Sequence, residues 1–76
     1  MLVNGKEIDI GQTLYYNTTG AYGKNISQKC YILDIGEIYV WLMIYGNLGP
    51  TPIKDVDKLS EEPKYKVTNE NFKLNL

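Results

Sequence analysis

The sequence predicts an all-β domain, a small barrel of five to six short antiparallel strands with one short helical turn near residues 55–60. Three observations carry this expectation. Apolar and β-branched residues come in short runs, several of which alternate with a period of two. Seven Gly and three Pro stand between those runs as turn punctuation and nowhere gather into a linker. The chain has 76 residues and no internal repeat, which makes residues 1–76 a single domain. A domain of this size buries about 60–65% of its unfolded surface and is stabilised by only a few kcal/mol.

The elements follow in order. Asn4-Gly5 is a strong two-residue hairpin signal because both residue types tolerate positive φ, and with only three residues before it the hairpin is stubby. Ile8, Ile10, Leu14 and Tyr16 alternate, with Gly11 interrupting as a bulge or bend. Residues 17–25, Asn17 to Asn25, form a polar, glycine-containing loop too long for a simple hairpin. The centre of the molecule runs from Ser27 to Tyr45. A two-residue turn at Gly36-Glu37 sets Ile35 opposite Ile38, Leu33 opposite Val40 and Tyr31 opposite Leu42 on one face. On the other face Asp34 meets Tyr39, Ile32 meets Trp41 and Cys30 meets Met43. The second strand is thereby sorted into an aliphatic side (Ile38, Val40, Leu42, Ile44) and an aromatic side (Tyr39, Trp41, Met43, Tyr45). Helix is the competing assignment for so apolar a run; β-branched and aromatic enrichment, short length and the flanking Gly36 and Gly46 decide for strand. Residues 46–52 are a turn segment, Ile53 starts a short strand, and Asp55 to Ser60 form a single helical turn. Residues 64–76 add a terminal strand or hairpin, with Phe72, Leu74 and Leu76 in alternation.

The run Ile10-Gly11-Gln12-Thr13-Leu14-Tyr15-Tyr16 resembles the opening of small SH3-like barrel proteins of the KOW and Tudor-like kind. The central hairpin, the Gly turn, the short strand at Ile53 and the single turn ending in Leu59 are similar to their later elements. The resemblance spans residues 8–60 and implies a fold and a habit of binding; it carries over no functional residue. Compact proteins of this build are common in phages and low-GC bacteria. The abundance of Ile, Lys, Asn and Tyr, together 30 of the 76 residues, fits an AT-rich genome of that sort.

Composition bears on chemistry chiefly by exclusion. There is no His and no Arg, and eight Lys face nine Asp and Glu for a net charge of −1. Without His neither a Ser-His-Asp nor a Cys-His arrangement forms, and the lone Cys30 has no neighbouring base. One Cys cannot supply a structural zinc site or an internal disulfide, which suits a reducing, cytoplasmic compartment. The N-terminal residues lack a long apolar stretch, and the longest apolar run, Ile38 to Tyr45, is eight residues against the roughly 20 needed to cross a bilayer. The expectation is therefore a non-enzymatic, cytoplasmic protein without cofactor, metal or membrane association. Gly20-x-x-Gly23 matches the backbone-clamping loop of KH domains, which joins two helices; a surface loop is the plainer assignment. Asp55, Asp57, Glu61 and Glu62 form an acidic run without EF-hand spacing, read as a solvated turn.

The aromatic side of the second strand is the remaining candidate. If the aliphatic side fills the core, Tyr39, Trp41, Met43 and Tyr45, with Ile32 across the strand, form several hundred Å² of apolar surface, a size monomers seldom leave uncovered. Three covers compete: an intramolecular one from Phe72, Leu74 and Leu76 or from the loop with Tyr22, a second copy in a homodimer, and a foreign protein. A narrower version is an aromatic cage in which Tyr39 and Trp41, beside Asp34, hold a methylated ammonium. The expected activity is protein binding through Tyr39, Trp41, Met43, Tyr45, Ile32 and Tyr22, serving a phage or mobile-element protein that inhibits or scaffolds a host factor. The alternative is a single-stranded nucleic-acid binder stacking bases on Tyr15, Tyr16, Tyr22 and Tyr31 beside Lys24 and Lys29; the net negative charge counts against it.

Overall fold

The computed structural model describes residues 1–44 and 47–68. Within them the chain is all-β. Its strands are β1 (Leu2–Val3), β2 (Lys6–Glu7), β3 (Thr13–Thr19), β4 (Asn25–Ile35), β5 (Tyr39–Ile44), β6 (Asn47–Pro52) and β7 (Leu59–Ser60), with 3₁₀ turns at Ala21–Gly23 and Ile53–Lys58. β1 and β2 form a separate hairpin, and the other five make one antiparallel sheet in the order β6-β5-β4-β3-β7. Asn4 and Gly5 turn the first hairpin with φ of 49° and 81°, the left-handed pair that a two-residue turn between twisted strands requires.

The expected barrel is not closed by hydrogen bonds: among the described residues no ladder joins the outer strands β6 and β7. β7 is two residues long and its pairing is taken up by β3, through Tyr15↔Ser60 and Tyr16↔Leu59. The Ile53–Lys58 turn instead packs on β3, β5, β6 and β7 and places Val56 in the core. That core also holds Val3, Ile8, Leu14, Cys30, Ile32, Val40, Leu42 and Leu59, with Tyr16, Ile35, Ile44 and Ile53 half-buried against it.

The central hairpin departs from the expected register. Its turn lies on Glu37-Ile38, one residue later than Gly36-Glu37, with the Gly36 N–H donating to the Tyr39 carbonyl at 2.8 Å. Ile38, expected in the core, is 69% exposed at the turn. Tyr31 faces Met43 and Ile32 faces Leu42; past a bulge at Leu33, Asp34 faces Trp41 and Ile35 faces Val40. A one-residue slip exchanges the faces of a strand. The sorting of β5 survives, with Val40 and Leu42 inward and Tyr39, Trp41 and Met43 outward. β4 is inverted only before the bulge: Cys30 and Ile32 join the core and Tyr31 goes to the outer side, while Asp34 keeps its outer place and Ile35 its place against the core. Ile32 is also tied to the segment before β3, its N–H donating to the Gln12 carbonyl and its carbonyl accepting from the Gly11 N–H.

The loop expected over residues 17–25 is shorter. β3 and β4 stay paired out to Thr19↔Asn25, so only Gly20 to Lys24 connect them. Ile10 is exposed, because the bend at Gly11 (φ 91°) breaks the alternation between Ile8 and Leu14. Residues 64–68, the described part of the expected terminal strand or hairpin, add to the sheet at one bridge. They lie parallel to the first half of β4 and bridge it at Ser27↔Val67. β4 has eleven residues, and β5 pairs only with its Tyr31–Ile35 half, which leaves that other half open for them. The remainder of the expected terminal hairpin, with Phe72, Leu74 and Leu76, falls outside the described residues.

Candidate functional site: the outer face of the central hairpin

Strand parity builds the site. On the outer side of the sheet β5 presents Tyr39, Trp41 and Met43. β4 supplies Asp34 opposite Trp41 and Tyr31 opposite Met43. On the far side of β5, β6 supplies Pro52 opposite Tyr39, Pro50 opposite Trp41 and Leu48 opposite Met43. Trp41 is thus flanked by a carboxylate on one neighbouring strand and a proline on the other. Directly opposed residues on one face lie within side-chain contact range, so these rows make a single surface.

The rings of Tyr39 and Trp41 are tilted by 59° with centroids 6.3 Å apart, an edge-on arrangement that aromatic quadrupoles favour. Trp41 and Met43 are half-buried, while Tyr39 and Leu48 are 42% and 55% exposed. Between β4 and β6, across Trp41, lies an open hollow of about 300 Å³ lined by Leu33, Asp34, Trp41 and Leu48. The Leu33 bulge sits at its wall, where the register of β4 against β5 shifts. Asp34 is exposed, and its Oδ1 accepts the N–H of Ile35 at 2.9 Å, which holds the carboxylate close to its own backbone. The ion pairs described, of the N-terminus with Glu7 and Asp9 and of Lys58 with Asp55, do not involve Asp34.

The expected site residues divide. Tyr39, Trp41 and Met43 share the outer face. Ile32 does not belong to it: it is fully buried opposite Leu42, a consequence of the inverted β4. Tyr22 does not belong either. It is fully exposed on the turn at the Asn25 end of β4, nine residues from Asp34 or about 30 Å along an extended strand. Tyr45 lies outside the described residues. Leu33, Leu48 and Pro50 were missing from the expected set: Leu33 was expected opposite Val40 in the core and the bulge moves it, while the signal for Leu48 and Pro50 was the alternation of residues 48–52, which proline and glycine disguised as a turn. Of the cage, Tyr39, Trp41 and Asp34 do meet on one face, but the hollow beside Asp34 has Trp41 as its single aromatic wall.

Three further features bear on what the chain can do. Cys30 is completely buried, and burial pushes its thiol up to about 12, so it stays protonated and inert at neutral pH. Gly20 and Gly23 connect two strands through a 3₁₀ turn, with the Gly20 N–H on the Lys24 carbonyl at 2.6 Å, which is not the helix-to-helix setting of a KH clamp. Among the described residues no three His, Cys, Asp or Glu side chains are grouped to hold a metal, and no helix is long and apolar enough to cross a membrane.

β6 is the edge strand beside this face. The Ile53 N–H donates inward to Ile38 at 3.1 Å, and alternate residues of an antiparallel strand point the same way, so Gly49 and Thr51 also face β5. Pro50 and Pro52 therefore occupy outward positions, where an ordinary residue would offer an N–H to another chain. Proline at such positions blocks strand-to-strand association. The face beside this edge is apolar while the edge itself is blunted. No known family model, curated protein or solved structure matches the chain.

Proposed function

We propose that this chain is a non-enzymatic protein-binding module of SH3-like build whose contact surface is the outer face of β4, β5 and β6, centred on Trp41. The observation that carries the reading is the placement of Trp41 with Tyr39, Leu48 and Pro50 on the side of the sheet away from the core, beside a 300 Å³ hollow edged by Asp34. Tryptophan and tyrosine anchors set in a partly desolvated recess are the side chains that dominate protein interfaces. The meander from β3 to β6, the 3₁₀ turn and a last strand returning to β3 support the SH3-like part of the reading. Inhibiting or scaffolding a host factor in the cytoplasm, as a phage or mobile-element protein does, is the role we assign to such a surface.

The acidic group beside the tryptophan favours a protein over a nucleic acid, since a phosphate backbone approaching Trp41 meets Asp34 rather than a cation. Immobilised chain incubated with native-host lysate is the test. A defined protein retained by the wild type and lost from Trp41→Ala, with the β-type circular dichroism unchanged, is the expected outcome. Equal retention by both overturns the reading. Steeply salt-dependent binding of a fluorescent oligonucleotide would transfer the assignment to nucleic acid.

A further inference from the structure

A second contact region lies on the other half of β4. Asn17 and Ser27 face each other across β3 and β4, both buried and both polar. Ser27 Oγ donates to Asn17 Oδ1 at 2.5 Å, and the Asn17 amide donates to the Lys58 carbonyl at 2.9 Å and to Ser60 Oγ at 2.7 Å. Residues 64–68 lie across this pair. The Lys64 N–H donates to Asn17 Oδ1 at 3.1 Å and the Tyr65 N–H to Ser27 Oγ at 2.9 Å. The Ser27 N–H donates to the Lys66 carbonyl at 3.0 Å, and the Thr68 N–H to the Ser27 carbonyl at 3.1 Å.

Each of these four bonds engages a main-chain group of the segment. Of its side chains, those of Lys64, Tyr65 and Lys66 are exposed and that of Val67 is half-buried. Asn17 and Ser27 thus present two side-chain acceptors and one open backbone donor–acceptor pair, a slot that reads an extended chain without reading its sequence. A segment held by a few polar bonds and little apolar burial belongs to the least stable part of a fold. It is joined to β7 by Glu61, Glu62 and Pro63, all exposed.

We propose that the Asn17–Ser27 slot is a strand-addition site for an extended partner peptide, kept closed by the chain's own Lys64–Thr68 segment. The partner segment runs parallel to β4, supplies N–H groups at the positions of residues 64, 65 and 68 and a carbonyl at that of 66, and so carries no proline at the three donor positions. Its side chains are otherwise free. This inference is separate from the outer-face reading and stands or falls without it.

The test uses the full chain carrying Tyr65→Pro and Thr68→Pro, which removes two donors from the resident segment, and a fluorescein-labelled peptide with the sequence of residues 61–68. The double variant binds the peptide saturably, and the wild type binds it at least about tenfold more weakly, because its own segment competes at high effective concentration. A shuffled peptide that keeps proline out of the donor positions binds within about threefold, as a main-chain reader requires. No binding by a folded double variant, or loss of binding on shuffling, overturns the proposal. Should the double variant fail to fold, hydrogen exchange on the wild type decides. Ser27 and Thr68 amides exchanging at least about a hundredfold faster than Ile32 supports an independently opening segment, and equal protection overturns it.

Discussion

Asn17→Ala is the sharpest stability probe in the molecule. The Asn17 amide makes four hydrogen bonds, donating to the Lys58 carbonyl and Ser60 Oγ and accepting from Ser27 Oγ and the Lys64 N–H. Alanine deletes all four, but the groups left behind fare differently. Ser27 is completely buried, so its hydroxyl proton loses its acceptor with no water to replace it, at about 1–3 kcal/mol. The partners at Lys58, Ser60 and Lys64 are reached by solvent, and each lost bond there costs about 0.5–1 kcal/mol. The total is about 2.5–6 kcal/mol, a large fraction of what a domain of this length possesses. Urea unfolding followed by Trp41 fluorescence measures it. The cycle with Ser27→Ala isolates the buried pair: removing both partners leaves no buried hydroxyl proton without its acceptor, so the double variant is more stable than the sum of the single losses by at least about 1 kcal/mol. A loss below about 1 kcal/mol for Asn17→Ala, or strict additivity in the cycle, refutes the reasoning.

Three further outcomes are expected. Tyr22 holds a φ of 62° while fully exposed, so Tyr22→Asn relieves left-handed strain without losing a contact and raises stability by about 0.5–1 kcal/mol; a fall in the urea midpoint would show that the ring is used elsewhere. Replacing Pro50 and Pro52 together with threonine restores outward N–H groups to the β6 edge and increases light scattering at high concentration, whereas an unchanged scattering curve would mean that the edge is protected some other way. Burial raises the Cys30 thiol from 9.0 to about 12, so the folded chain keeps its proton after the unfolded chain has lost it. This contribution to stability is therefore fully present below pH 9 and is lost progressively as the pH rises from there toward 12. Cys30→Ala removes this component of the alkaline slope, and identical slopes for the two proteins would contradict the assignment.

The fold class was legible in the sequence because its signals are local. Asn4-Gly5 makes the turn it prescribes, the alternation of residues 39–43 sorts β5 correctly, and the turn ending near Leu59 lies where composition puts it. What failed was relational. Placing the hairpin turn at Gly36-Glu37 was reasonable for a glycine, yet Gly36 flanks the turn, and the bulge at Leu33 adds a second shift. The later turn alone puts Asp34 in place of Ile32 opposite Trp41, and the bulge then turns Ile32 into the core. The Asn17–Ser27 pair left no trace in hydropathy, since its partners come from residues 58–65 and long-range polar bonds have no period. β6 was hidden for a different reason. Proline and glycine mark turns in most settings, but an edge strand accommodates them wherever an outward N–H is not needed.

Hydroxyl-radical footprinting, read by mass spectrometry on the free chain and on the chain bound to the protein it captures, tests the outer-face assignment most directly. Tyr39, Trp41 and Leu48 should be oxidised in the free chain and protected in the complex, with exposed Leu2 and Ile10 unchanged between the two. Protection at Leu2 or Ile10 with Trp41 left reactive, or a Trp41 already shielded in the free chain, would contradict it.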